Sequence, residues 1–172
     1  MLIRNERPDD VSRIATIHTT AFKGHPAHAP GAEPTEQLIV EHLRASGALT
    51  LSLLVETNGE AVGHVALSPA SVGEEHSGWL LLGPVGVLPP MQGRGRGTAL
   101  LREALKRSRK AGARGIVLVG DPGFYARFGF AAAPGLSYPG VPGQYVLALC
   151  FSGAAPRGEI AAHEAFRLAD GQ

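Results

Sequence analysis

The stretch Pro84-Val85-Gly86-Val87-Leu88-Pro89-Pro90-Met91-Gln92-Gly93-Arg94-Gly95-Arg96-Gly97-Thr98-Ala99-Leu100-Leu101 decides how the chain is read. An apolar strand runs into a loop of alternating glycine and arginine, and a helical pattern starts at once. Glycines at 93, 95 and 97 let backbone N–H groups turn toward a guest with no Cβ in the way. The first N–H groups of a helix have no partner of their own and carry partial positive charge. Arg94 and Arg96 add full charges. A phosphate or pyrophosphate is the guest such a loop suits. Two common phosphate loops are excluded: GxxxxGK[ST] is absent, and Thr98 stands where GxGxxG requires its third glycine. The alternative is a glycine-rich turn that only links a strand to a helix.

Working outward, the strand feeding this loop reads as Gly78–Leu88, with Gly83-Pro84 implying a bulge or an unpaired stretch. The helix after it spans Thr98–Ala111, with Leu101, Ala104, Leu105 and Ser108 on one face. Ile116–Val119 is a short buried strand. Gly123–Phe128 reads as one helical turn closed by Gly129, and Phe130–Ala133 and Gly143–Phe151 as later strands. The tail Gly158–Gln172 is open between strand and helix. Upstream, Met1–Glu6 suits a first strand. Pro8-Asp9-Asp10 opens a helix with Ile14, Ile17, His18 and Ala21 at helical spacing. His25–Pro34 is a loop with three prolines and two histidines. A second helix, Thr35–Ser46, groups Leu38, Ile39, His42 and Leu43. Leu49–Glu56 and Glu60–Ser68 flank the hairpin signal Asn58-Gly59, and Ala70–Ser77 reads as a polar loop.

Composition sets the limits. The chain has 172 residues, enough for one domain with a sizeable core. With 16 Lys+Arg against 15 Asp+Glu the net charge is +1, which lacks the general footprint of nucleic-acid binding. One cysteine, Cys150, allows no internal disulfide and points to a reducing compartment. No apolar run is long enough to span a membrane, and the charged MLIRNERPDD start does not read as a signal peptide. The expectation is a cytoplasmic α/β or α+β domain, with no nucleic-acid or membrane partner.

The run Val87-Leu-Pro-Pro-Met-Gln92-Gly-Arg-Gly95-Arg-Gly97 resembles the acetyl-CoA signature of the GNAT N-acetyltransferases, Q/R-x-x-G-x-G/A after a V-x-P strand end. The resemblance continues through Gly120-Asp-Pro-Gly-Phe-Tyr125-Ala-Arg-Phe-Gly129-Phe130, similar to the family's aromatic-tyrosine turn five residues before a G-F. It covers most of the chain, about Met1–Phe151, and the GHVALSP strand looks like the bacterial YhbS-like branch. It implies an α+β fold (α/β three-layer in some schemes). The central sheet would be mixed, mostly antiparallel, with about six to seven strands flanked by helices. One acetyltransferase domain would span residues 1–172, with a crevice where strands 78–87 and 115–119 part.

The resemblance also implies roles. Acetyl-CoA is the cosubstrate. The backbone of Val85, Gly86 and Val87 lies along its pantetheine arm. Gln92, Gly93, Arg94, Gly95, Arg96, Gly97 and Thr98 hold its phosphates, and Phe124 lies beside it. Tyr125 is the candidate general acid for the leaving thiolate, protonated at neutral pH because a phenol ordinarily titrates near pH 10. Its alternative is a packed tyrosine beside Phe124 and Phe128. The acceptor is a primary amine on a small molecule or peptide, attacked directly in a ternary complex, and the assembly is a monomer or homodimer. The strand 78–87 carries no Asp or Glu, where some family members keep their base. Glu33, His64, Glu74, Glu75, His76 or a water chain are left for that role, with Glu33 and His64 also possible acceptor contacts. His64, on an apolar strand, otherwise reads as a satisfied core histidine. No metal site is expected, since His25 and His28 lack further ligands. A non-catalytic acyl-CoA sensor and an ordinary interaction domain are the alternatives to an enzyme.

Overall fold

The computed structural model describes residues 1–26 and 28–170. In chain order the elements are β1 (Leu2–Asn5), α1 (Val11–Phe22), α2 (Glu36–Ala45), β2 (Leu51–Thr57), β3 (Glu60–Val72), β4 (Glu75–Val87), α3 (Arg96–Lys110), β5 (Gly115–Val119), α4 (Pro122–Tyr125), β6 (Ala131–Ala132), β7 (Leu136–Ser137), β8 (Val146–Cys150), β9 (Gly158–Ala161) and α5 (Arg167–Asp170). This is the expected α+β architecture of a mixed, mostly antiparallel sheet with flanking helices. Among the described residues there are nine strands where about six to seven are expected, β7 and β9 being short pairings off the main order.

The chain divides into two compact units. The first holds Met1–Leu67, Gly83–Ala104 and the residues from Glu164. Its strands pair antiparallel, β1 with β2 and β2 with β3, and Leu88 N–H donates to the Val62 carbonyl at 2.8 Å. Ile14 and Ile17 of α1 and Val40 of α2 pack with Leu54, Ala61 and Ala66 of the sheet. Ile39 and Leu43 of α2 pack with Ala165 and Phe166 near the C-terminus. The buried face of α2 is therefore Ile39, Val40 and Leu43, while Leu38 and His42 are exposed. The expected grouping is rotated toward Val40, which packs against Ile14 and Ile17 of α1 and the sheet, while Ile39 and Leu43 meet Ala165 and Phe166.

The second unit holds Ser68–Leu82 and Leu105–His163. Here Trp79–Leu81 of β4 pairs parallel with Gly115–Val117 of β5, β8 pairs antiparallel with β5 along its length, and β6 pairs with β8. The expected polar loop 70–77 is a hairpin instead. Gly73, at φ +58°, turns β3 directly into β4. Strand β9 explains the length of β3, pairing with Ser71 and Val72. Pro84 does not interrupt β4, which runs on to Val87, and it lies past the residues laddered to β5. Strand β8 starts at Val146, three residues later than expected, after a 3-10 turn at Gly143–Tyr145. The tail resolves into β9, a 3-10 turn and α5, and its residues 171–172 lie outside the described residues.

Asp10 anchors the entry to α1. Its carboxylate takes both terminal nitrogens of Arg4, at 2.7 and 2.9 Å, and the Arg7 N–H at 2.6 Å. These bonds, the Arg4 bonds foremost, hold its pKa down at about 2. A depressed carboxyl stabilises the fold above its unfolded value and loses that contribution as pH falls through the folded one. Asp10→Asn should therefore lose about 2 kcal/mol at neutral pH. In urea melts the gap from the parent should close as pH drops from the unfolded value of 3.8 toward 2; a pH-independent gap would contradict the assignment.

Candidate active site

The glycine-arginine loop of the first unit leaves backbone donors unpaired at the start of a helix. Helix α3 begins at Arg96, two residues before the expected Thr98, and its first helical bond runs from Ala99 N–H to the Gly95 carbonyl at 3.0 Å. The N–H groups of Arg96, Gly97 and Thr98 thus precede any helical acceptor. Gly93 and Gly95 sit at φ +75° and +81°, a conformation costly for residues with a Cβ. A Cβ at either would meet nothing within 4 Å, so the space above the loop is open. Arg94 is exposed, and its charge stands free beside these donors. Arg96 is partly committed, its Nε donating to Thr57 Oγ1 at 2.9 Å. Gln92 turns back, its amide donating to the Val87 carbonyl at 2.9 Å, so it fastens the loop to the strand end. Val85 and Val87 are half-buried and Gly86 is buried.

In the second unit, Asp121 caps α4 by accepting from Gly123 N–H at 2.9 Å. This turn presents Phe124 and Tyr125 half-buried. The Tyr125 ring lies 5.0 Å from Phe124 and 5.9 Å from Phe130, and a Cβ on Gly120 would stand 2.5 Å from its Cε2. Arg127 covers the other aromatic, 4.7 Å from the Phe124 ring centre. Burial raises the Tyr125 pKa above its ordinary value of 10.0, keeping the phenol protonated.

The remaining candidates divide clearly. His64 is fully buried and offers no acceptor contact: Nδ1 meets His18 Nε2 at 2.7 Å and Nε2 meets Ser52 Oγ at 2.7 Å. Glu75 is held by Trp79 Nε1 at 2.8 Å and by Arg114, which keeps its carboxyl low. Glu33, Glu74 and His76 are exposed. His28 pairs with Glu36 at 2.9 Å, and no group of three or more metal-ligating side chains occurs among the described residues. Sequence reasoning missed the His18–His64 pair. The only signal was that both histidines fall on apolar faces, 46 residues apart.

Comparison with known proteins agrees with this geometry. Residues 12–130 match the acetyltransferase (GNAT) family. The chain belongs to that family. Escherichia coli K12 YhbS, described as an uncharacterized N-acetyltransferase, is 34% identical over 134 residues, covering 77% of this chain and 75% of its own. A GNAT family acetyltransferase of Brucella melitensis, crystallised with acetyl-CoA, superposes with TM-score 0.83 at 44% identity, covering 96% of this chain and 97% of its own. Crystalline E. coli YhbS in complex with CoA gives TM-score 0.85 at 29% identity, covering 96% and 91%. This GNAT protein is accordingly an N-acetyltransferase with acetyl-CoA as cosubstrate. No helix among its described residues is long and apolar enough to cross a membrane.

Two measurements test the Tyr125 environment. The alkaline phenolate absorbance lost in Tyr125→Phe should appear above pH 10.0, since burial opposes ionisation; a transition at or below that value would contradict it. Stability from the buried neutral phenol is present below the unfolded value and lost as pH rises through the folded one. Gly120→Ala should displace the ring and cost about 1–3 kcal/mol in denaturant melts.

Proposed function

We propose that this protein moves the acetyl group of acetyl-CoA directly to a primary amine on a small molecule or peptide, in a ternary complex. The observation that carries the reading is the start of α3, where three consecutive N–H groups without a helical acceptor follow two positive-φ glycines whose Cβ positions meet open space. That is a pyrophosphate cradle: the donors and the helix dipole favour the anion, and Arg94 adds charge. Gly93, Gly95, Gly97 and Thr98 hold the phosphates through the backbone, while Arg96 contributes through the guanidinium nitrogens not engaged with Thr57. Gln92 supports the loop from behind. Val85, Gly86 and Val87 lie along the pantetheine arm, and an N–H of this strand polarises the thioester carbonyl as negative charge develops on it.

The amine attacks the thioester carbon, the C–S bond breaks, and the CoA thiolate takes a proton from Tyr125, which burial keeps available. Phe124 packs beside the cofactor. Residues 1–172 work as one acetyltransferase domain, as a monomer or homodimer. The lone cysteine supports a reducing compartment, which favours the cytoplasm.

Calorimetric titration should give micromolar binding of acetyl-CoA, about −8 kcal/mol, selective over ATP and NADH. A folded, cofactor-free protein that binds neither acetyl-CoA nor CoA would reduce the loop to a turn. Initial-rate lines with an amine should intersect, parallel lines indicating a covalent intermediate instead. Tyr125→Phe should cut turnover about 100-fold while leaving acetyl-CoA affinity unchanged; unchanged turnover would remove Tyr125 from the chemistry.

A further inference from the structure

We propose that Thr57, at the tip of the β2–β3 hairpin, is a positioning residue for acetyl-CoA: through Arg96 it holds the Gly93–Gly97 loop in the conformation that receives the diphosphate. The inference rests on the acetyl-transfer reading and deepens it. It adds to the cofactor cradle a residue from outside the strand–loop–helix unit.

The loop needs such a hold. Three of the five residues from 93 to 97 are glycine, and glycine has the most backbone freedom to lose when a guest fixes it. Freedom lost on binding subtracts from affinity, so a loop already held in its bound shape binds more tightly. Among the described residues, two side chains from positions 92–97 tie the loop down by hydrogen bonds. Gln92 donates to the Val87 carbonyl at 2.9 Å, and Arg96 Nε donates to Thr57 Oγ1 at 2.9 Å. Together they bracket Gly93-Arg94-Gly95, where both positive-φ residues of the loop lie. The first bond returns to the strand that the loop has just left. The second crosses 39 residues of sequence to another part of the sheet.

Thr57 is well seated for this task. It ends β2 and pairs with Glu60 across the Asn58-Gly59 turn, whose residues sit at φ +53° and +79°. Below the tip, Leu53, Leu54 and Val55 are fully buried, so the hydroxyl stands on a packed base. The β2–β3 register shifts between Val55 and Glu56, which leaves Val62 unpaired with β2 and bends the hairpin locally. The Val62 carbonyl there accepts from Leu88 N–H at 2.8 Å, the residue that follows β4. The hairpin tip and the glycine-arginine loop therefore leave the sheet side by side, and Thr57 Oγ1 comes within reach of the first residue of α3.

The chemistry of the bond suits a tether. A guanidinium only donates, while a threonine hydroxyl offers two lone pairs, so the bond is charge-assisted and has one direction. It uses Nε, so the terminal nitrogens of Arg96 are not spent on Thr57 and are left for a phosphate. Arg96 also carries the first of the N–H groups that precede any helical acceptor. Holding its side chain thus holds a backbone donor of the cradle as well. Both partners are half-buried, which limits competition from water. Valine keeps the β-branched shape of threonine at the strand end but has no acceptor for Arg96, whereas serine keeps the acceptor.

The test is calorimetric titration of the full chain with acetyl-CoA, each variant first shown to be folded by its urea melt. Thr57→Val should weaken binding about tenfold, and Thr57→Ser should bind as the parent does. Arg96→Met should weaken binding at least as much as Thr57→Val. Adding Thr57→Val to Arg96→Met should then change nothing further, because the bond is already gone. If Thr57→Val does not fold, Thr57→Ala takes its place. Parent-like affinity in Thr57→Val, an equal loss in Thr57→Ser, or a second tenfold loss on top of Arg96→Met sinks this inference alone, provided the parent binds. A folded, cofactor-free parent that binds neither acetyl-CoA nor CoA sinks the transfer reading and this inference with it.

Discussion

Two imidazoles are buried side by side in the first unit, and much of its polar interior is arranged to make that affordable. An unpaired buried polar group costs about 1–3 kcal/mol. The line Arg44–Glu6–Ser52–His64–His18 satisfies every link but the last. It crosses α2, the residue after β1, β2, β3 and α1 in turn. Each side chain fixes the hydrogen position of the next, so the line is directional as well as cohesive. It also sets register: Glu6 N–H donates to the Ser52 carbonyl at 2.9 Å while the Ser52 hydroxyl donates to the Glu6 side chain. The apolar packing of Ile14, Ile17, Val40 and Leu54 stabilises the same elements without choosing among such details.

The start of α3 follows the opposite rule. Its donors have no helical acceptor, and the space beside Gly93 and Gly95 is open to water or an anion. The glycines confirm the contrast. A Cβ on Gly63 would stand 2.8 Å from Val55, and one on Gly115 would stand 2.4 Å from the Leu149 carbonyl, so those residues are glycine because neighbours fill the space. Gly93 and Gly95 have no such neighbour and are set by backbone conformation alone. Glycines required by nothing inside the protein, placed before free N–H groups, make the loop an outward-facing device.

The strand–loop–helix unit was legible because its signals are local: glycine spacing, helical periodicity and the apolar run before it. The aromatic turn around Tyr125 was legible for the same reason. Strand ends were less so. Polar residues at 71–77 read as a loop because the β9 partner that lengthens β3 comes from 160–161, far along the chain. Leu38 read as core because periodicity places a stripe but does not say which neighbour it meets. The His18–His64–Ser52–Glu6 line joins residues from four segments, and none carries a local signal of the others.

Gly86 is where the histidine line meets the strand that leads into the loop. Its missing Cβ leaves room for the His18 ring, and any side chain there would strike Nδ1 or Ala21. Val85 and Val87, on either side, are half-buried, and the Val87 carbonyl fastens the loop by accepting from the Gln92 amide. Between residues 78 and 87 the strand carries no carboxylate, and the His18 ring seated against Gly86 takes the space that a side chain at that position would otherwise fill.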